Sequence, residues 1–258
     1  MKNILNIENL SIGYIAKKQK TIVATNINVA VSHSKFIALL GRNGVGKSTL
    51  FRTIASVQPM LNGAILINNK NITDYNSVEL SKEISVVLTE RIPLSNLTVY
   101  ELIALGRQVY TNWLGTITNH DKLMIKDAIN QVNINHLSDK KIDELSDGQY
   151  QKVMIARALA QDTPIILLDE PTAHLDIVNK AEIFKLLKEL VNKQHKTIII
   201  SSHELQLSIQ TADDLWLMTN DDFISGNKEE LIKNNNLQSL FKSEIISFDK
   251  KANQFIFH

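Results

Sequence analysis

Residues 36–49 read FIALLGRNGVGKST, an apolar run that stops at Gly41 and passes through three glycines into Lys47, Ser48 and Thr49. A short apolar run bounded by glycine is the pattern of a buried strand, and Leu50, Phe51 and Ile54 follow at helical spacing. GRNGVGKS thus fits G-x-x-x-x-G-K-[ST] in its required setting, a strand before and a helix after. Glycines let the backbone curl so that successive N–H groups point inward at phosphate oxygens, and the following helix adds the partial positive charge of its N-terminus. Lys47 can then reach the β- and γ-phosphates, and the Ser48 hydroxyl can ligate Mg²⁺.

The rest of the chain predicts the scaffold around this loop. PIILLDEP and KTIIISSH are two more buried-strand runs, and AEIFKLLKELVNK between them is an amphipathic helix, which makes a βαβ unit and a mostly parallel sheet. The first 35 residues alternate apolar and polar positions, the pattern of antiparallel strands and hairpins. Over residues 93–160 the segments ELIALGRQ, HDKLMIKDAINQVN and YQKVMIARALAQ all read as helical, a helical insertion. After Leu217 the pattern weakens: NKEELIKNNNLQSLFK reads as a helix and EIISFDKKANQFIF as two short strands about a turn. The expected class is α/β: a P-loop NTPase core with a mostly parallel sheet, an N-terminal antiparallel β subdomain and an inserted helical subdomain. One domain over 1–258 divides into the nucleotide-binding core (1–90 and 161–220), the helical part (91–160) and a C-terminal extension (221–258).

Composition removes several alternatives. The chain has 258 residues, 44% hydrophobic and 21% charged, enough for a sizeable core, and no cysteine, so disulfides and thiolate metal sites are excluded. No signal-peptide core opens it, and no apolar run approaches the roughly 18–20 residues that cross a bilayer, so membrane association is expected through a partner. A formal net charge of +1 gives no broad case for nucleic-acid binding.

A phosphate loop alone hydrolyses nothing. IILLDE places Asp169 at the end of a buried strand, where it can hold Mg²⁺ through water, with Glu170 next to it to polarise an attacking water. His203 follows the strand run in IIISSH. Alone, an Asp-Glu pair at a strand end or a histidine after one is also an ordinary structural feature. All three motifs share the carboxyl ends of strands, where open α/β sheets bind ligands. LSDGQ at 145–149 opens a helix, with Ser146 and Gln149 as a capping box.

In order, the phosphate loop, LSDGQ, IILLDEP, AHLD (173–176) and SSH resemble the ATPase subunits of ABC transporters over essentially residues 4–230. The resemblance implies that ATP is held by Gly41, Asn43, Gly44, Val45, Gly46, Lys47, Ser48 and Thr49, with Tyr14 stacked on adenine. It implies that Ser48 and Asp169 hold Mg²⁺, that Glu170 is the general base, and that His203 and Lys47 contact the reacting phosphate. Two subunits of the family meet head to tail, so Ser146, Gly148 and Gln149 would complete the ATP site of a second copy, and Asp176 would belong to the loop that communicates across the dimer.

Two positions depart from the family pattern. Asp147 stands where glycine is usual, acceptable at a helix start and favoured by its dipole. Thr89 stands where the family has a glutamine that touches Mg²⁺ and relays to the membrane subunit; it keeps one oxygen but is two bonds shorter, and it ligates through water or Glu90 substitutes. LTVYELIALGRQVYTNWLG (97–115) resembles importer ATPases serving iron chelates, haem and cobalamin, with Tyr110 and Trp113 either on a docking surface or covering the helical core. The resemblance implies a separate transmembrane permease, a homodimer, an indirect substrate-binding protein and a peripheral place on the cytoplasmic face of the inner membrane. Two rivals are a soluble ATPase acting on ribosome or DNA and a scaffold that no longer turns over. Against the first stand the single motif set and the lack of sustained heptads; against the second, intact Glu170 and His203.

Overall fold

The computed structural model describes residues 3–16, 19–90, 96–241 and 245–258. The chain enters through β1 (Asn3–Ala16) and β2 (Gln19–Ser32), then β3 (Phe36–Leu40) leads to α1 (Lys47–Ile54). β4 (Asn62–Ile67), β5 (Lys70–Asn71), α2 (Ser77–Glu83) and β6 (Ile84–Val87) close the first half. Helices α3 (Val99–Ala104), α4 (Asn119–Gln131) and α5 (Asp147–Ala160) form the insertion. The core resumes with β7 (Ile165–Asp169), α6 (Ile177–Gln194), β8 (Thr197–Ser202), α7 (Leu205–Thr211), β9 (Asp214–Met218) and β10 (Phe223–Asn227). It ends with α8 (Lys228–Lys233), β11 (Ile246–Asp249) and β12 (Gln254–Phe257).

The main sheet has strand order β10-β9-β3-β8-β7-β6, parallel except for β10 against β9. Its central strands are buried on both faces, which is why FIALL, IILLD and TIIISS read as unbroken runs rather than alternating ones. Ile37, Leu39, Leu167 and Ile199 meet α1 and the antiparallel sheet β2-β1-β4-β5, whose Ile7, Leu10 and Ile27 complete one core. Ala38, Leu40, Leu168 and Ile200 face the other core, shared with Phe184 and Leu187 of α6 and the inserted helices. Among the described residues, no helix is long and apolar enough to cross a membrane.

Two expected segments came out differently, and a third had carried no expectation. Residues 227–241 do not form one helix, and residue 242 of the expected segment lies outside the described residues: α8 ends near Asn234, and Asn235 takes a left-handed φ of 61° before a 3₁₀ turn over Asn236–Leu240. Asparagine tolerates that conformation, so the asparagine run punctuates the segment. The helix over ELIALGRQ tightens after Ala104 into a 3₁₀ turn, Leu105–Tyr110. A β-carbon on Gly106 would lie 2.3 Å from the Arg157 carbonyl oxygen, so glycine lets this turn close on α5. DLWLM, which had no assignment, is strand β9 beside β3.

A buried ion pair ties the helical layer together. Arg107 Nε donates to Asp121 Oδ1 at 2.9 Å and its Nη1 to the Ala160 carbonyl at 2.8 Å, with both side chains 3% exposed. Hydrogen bonds from the Thr118 hydroxyl, joined by its backbone amide and by Arg107, hold the Asp121 carboxyl down at about 2 despite the opposing effect of burial. Asp121→Asn leaves the guanidinium buried without its counter-charge, an expected loss on the order of 3 kcal/mol. Because the folded-state pKa is depressed, the Asp121 contribution is present above the unfolded value of 3.8 and is lost as pH falls toward about 2. The stability gap between wild type and variant, measured by urea denaturation, should therefore shrink across that window.

Candidate active site

The phosphate loop leaves β3 at Leu40 and turns into α1 with Gly44 at φ 77° and Gly46 at φ 116°. A β-carbon on Gly44 would meet nothing within 4 Å, so this glycine serves the backbone turn and keeps the loop's concave side open. Gly46 caps α1 with no side-chain hydrogen bond, which leaves the first-turn amides facing outward for an anion. Val45 is 6% exposed and packs its side chain into the core below, so only its backbone can face a ligand.

Lys47 is 4% exposed, and its Nζ donates to the carbonyls of Gly41 (2.9 Å) and Arg42 (3.2 Å). Burial lowers its pKa, and the charges of Glu170 and Asp169 act against that shift. The Lys47 ammonium lies 3.7 Å from Glu170 Oε1 and 3.3 Å from His203 Nε2, and Glu170 Oε1 and His203 Nε2 are 2.6 Å apart. A proton on Nε2 makes His203 the donor to Glu170 and leaves no lone pair there for Lys47. Glu170, His203 and Lys47, far apart in sequence, therefore form one contiguous cluster of ionisable side chains.

Parallel pairing assembles it. β7 and β8 set Asp169 beside Ser201, and the Ser201 hydroxyl donates to Asp169 Oδ1 at 2.6 Å while accepting from the Glu170 amide at 2.9 Å. That amide bond fixes Glu170 at φ 49°, a left-handed conformation that costs a residue with a β-carbon about 1–2 kcal/mol. The Thr89 hydroxyl donates to Asp169 Oδ2 at 3.1 Å. Both oxygens of the Asp169 carboxylate are thus held by hydroxyls. Glu90 is engaged elsewhere, in an ion pair with Arg52 of α1, which gives it a partner other than the metal position.

A cavity of about 290 Å³ lies over the loop, lined by Tyr14, Asn43, Gly44, Gly46 to Thr49 and Glu170. The Tyr14 hydroxyl is 2.5 Å from the Thr49 hydroxyl, which places the half-exposed ring at the rim, where a flat base could lie against it. Ser48 and Asp169 offer hard oxygen donors, and Mg²⁺ characteristically takes few protein ligands beside phosphate and water, so this donor set fits that ion.

Ser146, Gly148 and Gln149 are not among the residues lining this cavity. Ser146 caps α5 in a reciprocal box with Gln149, and Asp176 caps α6 through Asn179. A β-carbon on Gly148 would meet the Asn179 amide oxygen at 2.9 Å, so the start of α5 rests on the start of α6. Asp147 lines a second cavity with Thr89, Glu170 and His174.

Residues 24–173 match the family described as ABC transporter. The chain is 36% identical over 257 residues to an uncharacterised ABC transporter ATP-binding protein of Methanocaldococcus jannaschii, covering 97% of this chain and 87% of the relative. Over 212 residues it is 37% identical to the achromobactin transport ATP-binding protein of Dickeya dadantii, covering 82% and 77%. An inward-facing ABC transporter described as of metal-chelate type aligns with a TM-score of 0.81 at 27% identity, covering 99% of this chain and 96% of that one. The chain belongs to the ABC transporter ATPase family.

Ser201 had no role in the sequence reading, although two hydroxyls ending a run of three isoleucines in IIISS were a visible anomaly. Its substitution by alanine removes one support from each carboxylate residue, so hydrolysis should fall about 10- to 100-fold, the usual scale for a residue behind a metal ligand. Binding of a non-hydrolysable ATP analogue without metal should change little. Thr89→Val, which removes the longer and less buried of the two hydroxyl contacts, should cost only a few-fold, about 1 kcal/mol; steady-state phosphate release ranks the two.

Proposed function

We propose that this chain is the ATP-hydrolysing motor of an importer for iron chelates, acting through a separate membrane-spanning permease. The catalytic part of this reading is carried by the cluster in which Glu170 lies 2.6 Å from His203 and 3.7 Å from Lys47 at the end of β7. In it, the phosphate-loop amides and Lys47 bind and orient the β- and γ-phosphates, and Tyr14 covers the base. Glu170 accepts a proton from the attacking water as its oxygen bonds to the γ-phosphorus, while the bond to the bridging oxygen breaks and leaves ADP and phosphate. His203 turns from Glu170 toward the γ-phosphate and holds it in line. Mg²⁺ at Ser48 and Asp169 would neutralise charge on the phosphate oxygens.

Ser146, Gly148, Gln149 and Asp176 then serve a second copy of the chain, with the α5 N-terminus closing over that copy's ATP from the opposite side. The caps already made within the chain leave these helix ends preorganised for such a role. Permease contact places the protein peripherally on the cytoplasmic face of the membrane, with the binding protein reached only through the permease. The iron-chelate assignment is supported by the relative serving achromobactin transport and by the metal-chelate type structure.

Glu170→Gln is expected to lower phosphate release by about 10²- to 10⁴-fold, the usual loss on removing a general base. Equal rates for wild type and variant would remove Glu170 from that role. Uptake of a labelled ferric chelate in cells lacking the chain, restored by wild type and not by Glu170→Gln, checks the import assignment; restored uptake of another cargo class would replace it.

A further inference from the structure

The C-terminal extension lies outside the matched family segment, yet it lines a cavity with His203. A cavity of about 80 Å³ is lined by Gly41, Arg42, His203 and Leu205 together with Leu240 and Phe241 of the extension. A neighbouring cavity is walled by Arg42 and Val45 of the phosphate loop and by Ser239 and Leu240. His203 thus contacts Glu170 and Lys47 and also lines a cavity that the extension helps to wall.

That wall is firmly built. Leu237 and Leu240 are 0% and 4% exposed. The Gln238 side chain donates to the carbonyls of Phe241 (3.3 Å) and Ile246 (3.1 Å) and accepts from the Phe248 amide (2.9 Å), which joins the 3₁₀ turn to the β11–β12 hairpin. Phe255 packs edge-on against Phe241 and Phe248, with centroids 5.1 and 5.0 Å apart. At the hairpin turn the Asn253 carbonyl accepts from Gln206 on α7, the helix that begins two residues after His203. The extension therefore grips both the cavity lined by His203 and the helix that carries its loop onward.

We propose that Leu240 and Phe241 are positioning residues for His203: the extension sets how far the imidazole and its loop can move when the ring exchanges Glu170 for phosphate. The chain's last segment thereby becomes part of the ATPase switch. The proposal rests on the reading of His203 as the phosphate-side residue of an ATPase.

The test is Phe241→Ala, with Phe241→Leu as the conservative control. Phe241 has extended backbone, so Phe241→Val replaces the alanine variant should that fail to fold. Misplacing a catalytic group by about 1 Å can cost up to about 100-fold, and a shifted wall should cost about ten-fold in kcat with KM for ATP within about three-fold. The His203 ring signals, identified among the seven histidines by their loss in His203→Ala, should shift in nucleotide-free Phe241→Ala and return in Phe241→Leu. Wild-type kcat together with unmoved His203 signals overturns the proposal whatever happens to Tm. So does a slower variant with unmoved signals, because its effect would not pass through His203. The ring signals are read without ATP, so failure here stays distinct from failure of the ATPase chemistry, which Glu170→Gln reports.

Discussion

Asp169 stands opposite Ser201 because β7 and β8 run parallel in one register, and nearly every contact in the site depends on that pairing. Ser201 holds the carboxylate of Asp169 and the amide of Glu170, and the chain reaches His203 two residues later, close enough for its ring to meet Glu170. A slip of one residue would turn Ser201 to the opposite face and exchange the two cores, since side chains alternate along a strand. The burial of Ile198 and Ile200 on one side and Ile199 on the other therefore specifies the chemistry as well as the fold. The register is secured by apolar surface on both faces of the sheet, and the polar residues need only occupy its end.

This explains which parts of the site were legible in sequence. The loop 41–49 was legible because glycines, lysine and hydroxyls must be contiguous to wrap a phosphate, so their spacing survives as a string. Asp169, Glu170 and His203 were legible as strand ends, and the inserted helices showed through their apolar period. Ser201 was missed because its role comes from a neighbour across the sheet, 32 residues away in sequence, and strand pairing is not written locally. β9 was missed for a related reason: DLWLM's place beside β3 is tertiary, and no local motif marks it. The Asn235 break shows the opposite case, where a local backbone preference overrode an apolar period that looked helical.

One set of contacts stiffens the helical layer and another joins it to the core. Within the layer, the buried Arg107–Asp121 pair and the close approach of Gly106 to α5 make α4, α5 and the 3₁₀ turn a stiff unit. Toward the core, the Gln161 side chain donates to the carbonyls of Ser81 and Ile84, and the segment carrying Thr89 touches Asp169. A stiff unit absorbs little displacement internally, so motion at the outer end of the layer is passed to these joints and to the apolar core it shares with the sheet.

Thr89 shows what such a joint can transmit. A longer side chain at this position could reach past Asp169, whereas the threonine hydroxyl binds the carboxylate itself. Motion of the Thr89 segment would then be felt at Asp169 only as a change in how that carboxylate is held. Ser201 grips the other oxygen at 2.6 Å from the rigid sheet, so Asp169 stays in place when the 3.1 Å contact from Thr89 loosens. Of the two hydroxyls, one is set by strand register and one rides on a loop, and only the second can be adjusted without disturbing the fold. Thr89 therefore ties its loop to the Asp169 carboxylate more loosely than Ser201 ties the sheet to it.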